Sequence, residues 1–269
     1  MRRDVPAARL FLRCAFGLAV ASCTAVACAE TVRLRYELSV SGIGAADMAV
    51  AATLTADGYA VRAQGETYGA ASMFDDLKID AQVTGTLAGG EVRPSTFGTD
   101  NMLDGRPRHA RVGWLPTGEA TTLDIAPTLA DEERTPIPDP ARLHALDPIS
   151  ALFAFALGAP ARGICEGSAD VFDGRRSYSL ALAPDPEGVT WVKMTIGDAE
   201  VVTLRCAIQS RRTGGVSPSS WFSSSGETET ARIWFWRDPR GRAIPVRVEA
   251  DAPIGYGVGQ LAGLPDYGE

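Results

Sequence analysis

The sequence predicts a mainly β fold: an antiparallel, strongly curved sheet or open barrel with one buried apolar helix. Three observations point to it. About twelve short segments alternate apolar and polar residues, as strands with one buried face do. Turn signals such as Ala56-Asp57-Gly58, Gly89-Gly90, Asp104-Gly105 and Asp173-Gly174 separate them. A single stretch, Ile149 to Leu157, carries no charge and reads as a helix.

The strands begin with Thr31–Ser41, where Leu34, Tyr36, Leu38 and Val40 alternate with Arg33, Arg35, Glu37 and Ser39. Met48–Leu54 and Tyr59–Ala63 form the next hairpin. Gly69–Leu77 reads as a short helix or turn. Ile79–Leu87 and Val92–Asp100 pair across Gly89-Gly90, with Pro94 marking an edge or bulge. Arg108–Leu115 and Ala120–Ile125 follow. Ala126–Leu146 is then a proline-rich crossover, with Pro127, Pro136, Pro138 and Pro140, that delivers the chain to the helix.

Asp147-Pro148 opens that helix: a carboxylate able to accept from the free N–H groups, then proline at the first helical position. Ile149, Leu152, Phe153 and Phe155–Leu157 make it apolar all round, so it is expected inside a concave β surface, covered on every side. Gly158 and Pro160 are expected to end it. Val171-Phe172 turn through Asp173-Gly174 into Tyr178–Leu182. Val189–Ile196 and Ala199–Ser210 read as a hairpin. Thr230–Arg237, Ala243–Ala252 and Tyr256–Leu264 finish the sheet.

DPISAL from Asp147, Cys165, VFDGRR from Val171, a strand and then Cys206 together resemble an exported proteobacterial family catalogued as domain of unknown function 3108. The resemblance extends more weakly over Val32 to Leu264. It implies no activity and no catalytic residues.

The N-terminus reads as a signal peptide over residues 1–29, followed by one β-rich domain over 30–269. Arg2, Arg3, Arg9 and Arg13 lead a short apolar core, Cys14–Ala21, and Ala27-Cys28-Ala29 offers a small-residue cleavage pattern. The apolar run is too short to span a membrane, so no transmembrane span is expected in the mature chain. The expected location is the periplasm. Val20-Ala21-Ser22-Cys23 supplies the alternative, a lipoprotein anchored through Cys23. Cutting after Ala29 leaves two cysteines, Cys165 and Cys206, and these are expected to form a structural disulfide.

The whole chain has 269 residues and a net charge of −7. Without residues 1–29 it would hold 22 basic and 32 acidic residues, a net charge of about −10. Such a surface argues against nucleic acid as a partner.

Candidate functional residues are few. His109 and His144 are the only histidines, and no nucleophile motif accompanies either. His109 is expected on an outward strand face and His144 in the crossover. Asp75, Asp76 and Asp80 are the densest carboxylates. Arg175 and Arg176, just after a hairpin turn, are expected to face water. Trp234 and Trp236 alternate with Ile233 and Phe235, so both faces of that strand need a cover. Phe153, Phe155, Trp191, Trp234 and Trp236 are the candidate ligand contacts, with core packing as the alternative. Arg211–Thr228, rich in serine and glycine, is expected to be a mobile loop. Its Trp221 and Phe222 are candidate partner contacts.

The half-barrel expected here is similar in architecture to periplasmic carriers of lipoproteins and lipids. The leading functional expectation is a non-enzymatic envelope protein binding an apolar or amphipathic, lipid-like ligand in the concave surface beneath the helix, without a cofactor. A structural or adaptor protein of the envelope is the second reading. A hydrolase of envelope polymers is the third.

Overall fold

The computed structural model describes residues 29–73, 76–188, 190–216, 228–252 and 255–268. Alternating sequence becomes strands β1 (Glu30–Val40), β2 (Ile43–Leu54), β3 (Gly58–Thr67), β4 (Leu77–Ala88), β5 (Glu91–Leu103), β6 (Arg106–Trp114) and β7 (Ala120–Ala126). After helix α1 (Pro148–Arg162) come β8 (Gly167–Phe172), β9 (Ser177–Pro184), β10 (Trp191–Ile196), β11 (Ala199–Gly214), β12 (Thr228–Arg237), β13 (Ala243–Ala252), β14 (Gly255–Leu261) and β15 (Asp266–Gly268). All join one sheet in the order β7-β6-β5-β4-β3-β2-β1-β14-β13-β12-β11-β9-β8, with β10 beside β11 and β15 beside β1. Every strand pair is antiparallel. Residues 1–28, and with them Cys23 and all but the last residue of the expected signal peptide (1–29), lie outside the described residues.

The sheet curls until its two edges, β7 and β8, nearly meet, and the proline-rich crossover fills the gap. Leu143 bridges Glu119 on one side, and the His144 N–H donates to the Gly118 carbonyl at 2.9 Å. On the other side the Leu146 N–H donates to Asp170 O and the Phe172 N–H donates to Leu146 O, both at 2.8 Å. Two edges that would otherwise expose unpaired backbone groups are thereby covered. The result is a nearly closed barrel.

Arg175 completes the seam. Its guanidinium donates to the His109 carbonyl at 2.9 Å, to the Pro127 carbonyl at 3.0 Å and to the Ala126 carbonyl. It also meets the Glu132 carboxylate at 2.8 Å. This corrects the expectation that Arg175 faces water: it is 8% exposed. The Asp173 carboxylate holds the turn in place by accepting from the Arg175 and Arg176 N–H groups at 2.8 and 2.6 Å.

Asp147 caps α1 as its position predicts, one carboxylate oxygen accepting from the Ile149 and Ser150 N–H groups at 3.0 Å. The other end differs from expectation. The helix runs through Gly158 and Pro160 to Arg162 and stops at Gly163, which takes the left-handed conformation at φ 69°. An interior proline costs roughly 3 kcal/mol. Here Ala156, Ala159 and Pro160 are all buried, which offsets that cost, and the Gly163 N–H closes the last turn on the Ala159 carbonyl.

The helix fills the concave side. Ile149, Phe153 and Ala154 pack on Tyr59, Val61, Val83, Phe97 and Val112 of the β3–β6 wall. Phe155, Ala156 and Ala159 pack on Leu204, Ile233 and Phe235 of the opposite wall. The Tyr59 and Phe153 rings stand 5.2 Å apart, and the Tyr59 hydroxyl lies 2.7 Å from Ser150 Oγ. Coverage is not complete: Leu157 remains 38% exposed.

Both faces of β12 are covered, as its sequence requires. Ile233 and Phe235 meet the helix side. Trp234 and Trp236 belong to another cluster, with Ile196 and Val201 of the β10–β11 hairpin, Ile244, Val246 and Leu261.

Candidate functional site

The expected ligand contacts fall into different places. Phe155, Trp234 and Trp236 are buried. The Trp234 ring has the Arg205 and Arg247 guanidiniums 6.0 and 5.7 Å from its centre, so it is engaged within the fold. Phe153 is half-buried against Tyr59. All four side chains are used in packing: Phe153 and Phe155 fill space on the helix side of the sheet, and Trp234 and Trp236 pack in the separate cluster on the other face of β12.

Trp191 is different. It is 55% exposed, and its ring edge lies 3.6 Å from the position a β-carbon would take on Gly163. It therefore stands beside the C-terminal cap of α1. Leu157, in the last turns of the helix, and Ile164, just past the cap, are also exposed, at 38% and 39%. The helix carries no charge before its last residue, Arg162, and around that end Leu157, Ile164 and Trp191 are exposed. Neither aliphatic residue was singled out by sequence, because helical periodicity alone does not tell which end of a buried helix emerges.

Cys165 and Cys206 form a disulfide with Cα atoms 5.4 Å apart. It ties the chain just past the helix to β11, and both residues are buried beside Phe155, Leu182 and Ile233. The bond fixes the position of the mouth relative to the β11 wall.

The other candidates are occupied or dispersed. Asp80 is held by Arg62, whose Nε donates at 2.9 Å, and by Gln64 at 2.9 Å, which keeps its carboxyl below the usual range. The Asp76 N–H donates to Asp104, and Asp75 lies outside the described residues. His109 is partly exposed on β6 and sits 3.0 Å from Asp124. His144 lines a cleft of about 270 Å³ at the seam with Ser168, Asp170 and Ser179. Its exposed ring lies against Gly118 and makes no hydrogen bond to either serine or to Asp170. Trp221 and Phe222 lie outside the described residues, as does most of their loop. Its first residues, Arg211–Gly214, belong to β11 and are not loop.

A larger cleft, about 680 Å³, escaped the sequence reading. It lies between the β10–β11 turn and the wall made by β1 and β14, with Tyr68 and Tyr256 at its sides. The signal was present in Gly255-Tyr256-Gly257-Val258-Gly259-Gln260, where alternation puts Tyr256, Val258 and Gln260 on one face and glycines on the other.

No curated protein sequence matches this chain. Among solved structures, a beta-barrel-like protein of domain of unknown function DUF1849 from Brucella abortus aligns at 13% identity with a TM-score of 0.46, covering 90% of this chain and 98% of that one. The family described as "Protein of unknown function (DUF3108)" matches residues 35–261, the segment that holds the helix, the VFDGRR turn and both bonded cysteines. The chain belongs to that family.

Proposed function

We propose that this chain is a non-enzymatic protein of the cell envelope that binds an apolar or amphipathic, lipid-like ligand at the mouth of its curved sheet. One observation carries the reading: from Pro148 to Ala161 the helix has no charged residue, and its end leaves Leu157, Ile164 and Trp191 in solvent. Large apolar side chains left exposed around the end of a helix that otherwise packs inside the sheet are the kind of surface that ligands cover. The ligand's apolar part lies against these three residues, and its polar part stays in water. The leader-like N-terminus supports a periplasmic location, with anchoring through Cys23 as the alternative.

The proposal is tested by titrating the protein with a brominated lysophospholipid, whose bromines quench tryptophan emission on contact. The expected result is saturable quenching that is largely lost in Trp191→Phe. Quenching that is absent, or equal in the variant, would overturn it.

A second reading, a structural or adaptor protein, draws on the Tyr59–Phe153 and Tyr59–Ser150 contacts. They pin the helix to the wall and fill the interior with the protein's own side chains. On that reading Trp191 serves a protein partner, and the lysophospholipid leaves its emission unchanged.

A further inference from the structure

The 680 Å³ cleft is far from the helix mouth along β10: Trp191 starts that strand, whereas Thr195 and the following Gly197 line the cleft. We propose that this cleft is a binding site for an uncharged carbohydrate, its sugar rings placed against Tyr68 and Tyr256.

The two tyrosines are 40% and 53% exposed and line one concavity. Single exposed aromatics are ordinary on a protein surface, but a pair sharing a cleft offers two flat faces to a ligand. The placement of Tyr68 depends on a glycine. Its hydroxyl lies 2.6 Å from where a β-carbon on Gly44 would stand, so any side chain there would displace the ring.

The polar groups favour a neutral ligand. Arg247, Gln260 and Glu37 follow one another across β13, β14 and β1. The arginine's charge is already matched: it contacts Glu249 at 2.5 Å and donates to Gln260 Oε1. The Gln260 amide is thereby oriented, because its oxygen faces a donor and its NH₂ is left to donate elsewhere. Glu37 is exposed and has no hydrogen-bond or ion-pair partner among the described residues. The cleft thus presents a free carboxylate and an amide donor but no unmatched cation. Phosphate and other anions are disfavoured by that balance. Sugar hydroxyls can donate to Glu37 and accept from Gln260, while the C–H faces of the ring meet the tyrosines.

The source of the sugar can be a soluble glycan or a glycolipid headgroup, and the test separates them. Amide NMR spectra of the full chain would be recorded with N-acetylchitotetraose and with maltotetraose, and sedimentation with galactolipid-containing vesicles and plain phosphatidylcholine vesicles. The expected result is saturable shifts at Gly197, Tyr256 and Gln260 with one oligosaccharide, or sedimentation with the galactolipid vesicles alone, which would assign the sugar to a lipid. Tyr256→Ala and Gly44→Ala should each weaken binding about tenfold, at unchanged melting temperature for Tyr256→Ala. No response to any sugar up to roughly 10 mM, or equal shifts with inorganic phosphate, would overturn the proposal. Failure here leaves the lysophospholipid result at Trp191 untouched, because the two clusters share no residue.

Discussion

Arg175 and Glu132 meet at 2.8 Å across the seam where the two edges of the sheet come together. Glu132 is also 2.6 Å from Arg134 and 3.0 Å from Arg108, and its side chain is 9% exposed. Burial alone would raise its carboxyl, but Arg134, Arg175 and Arg108 together hold it below the usual range. One arginine thus serves three backbone carbonyls and one carboxylate, in the gap that a continuous β ladder would otherwise close.

Arg175→Met should therefore open the seam. The substitution takes one of three arginines from a buried carboxylate and the shared donor from three carbonyls, a loss of about 1–3 kcal/mol. Adding Glu132→Gln to that variant should cost more, because Arg134 and Arg108 then lose their carboxylate as well. Denaturant unfolding measures both. An Arg175→Met protein within about 0.5 kcal/mol of the parent would show that the seam does not depend on this pair.

Asp147 predicts a pH dependence. Burial pushes its carboxyl up, against the hydrogen bonds from Ser150 and Ile149. A raised folded value means that its contribution is fully present below the ordinary aspartate value of 3.8 and is lost as pH rises through the folded value. Asp147→Asn keeps an oxygen for the cap and removes the charge. Its stability relative to the parent should therefore rise with pH above about 4. Asp147→Ala, which loses the cap, should cost roughly 0.5–2 kcal/mol. A constant difference between Asn variant and parent from acid to neutral pH would contradict the assignment.

The helix's two phenylalanines should behave differently. Phe155 is 4% exposed among the disulfide and β12 residues, so Phe155→Ala should cost about 3–5 kcal/mol. Phe153 is only partly buried, and its alanine variant should lose less, about 2–3 kcal/mol. Thermal unfolding would show the order. Equal losses, or a larger one at Phe153, would place the helix in a different rotation.

The disulfide predicts a covalent product. Non-reducing tryptic digestion should link residues 163–175, which hold Cys165, to residues 206–211, which begin with Cys206. Its reduction should cost about 4 kcal/mol for a closed loop of this length, in the chain-entropy picture. Finding both peptides unlinked in the oxidised protein would contradict the pairing.

Much of this architecture was legible because it rests on local rules. Alternation in Thr31–Ser41, the Asp173-Gly174 turn and the Asp147-Pro148 cap each declare themselves within a few residues. What stayed hidden depends on residues far apart in sequence. Nothing around Arg175 shows that its partners are the carbonyls of His109, Ala126 and Pro127, so it reads as a solvent-facing arginine. Pro160 reads as a stop because its cost is local, whereas the burial that offsets it comes from the opposite wall. β15 has three residues, too few for a periodic signal, and exists through its pairing with Thr31–Arg33. The same holds for function. Phe155 and Trp234 look like ligand contacts until the fold buries them, while Tyr68 and Tyr256 acquire meaning only when β3 and β14 bring them to one cleft.

The proposed function is tested most directly by native mass spectrometry of the protein isolated from the cells that make it. The account predicts a species carrying added mass that is released on activation as an acyl-bearing molecule, and loss of that species in a variant with Leu157, Ile164 and Trp191 made polar. A spectrum holding only the bare polypeptide, with the parent and the polar variant alike, would contradict it.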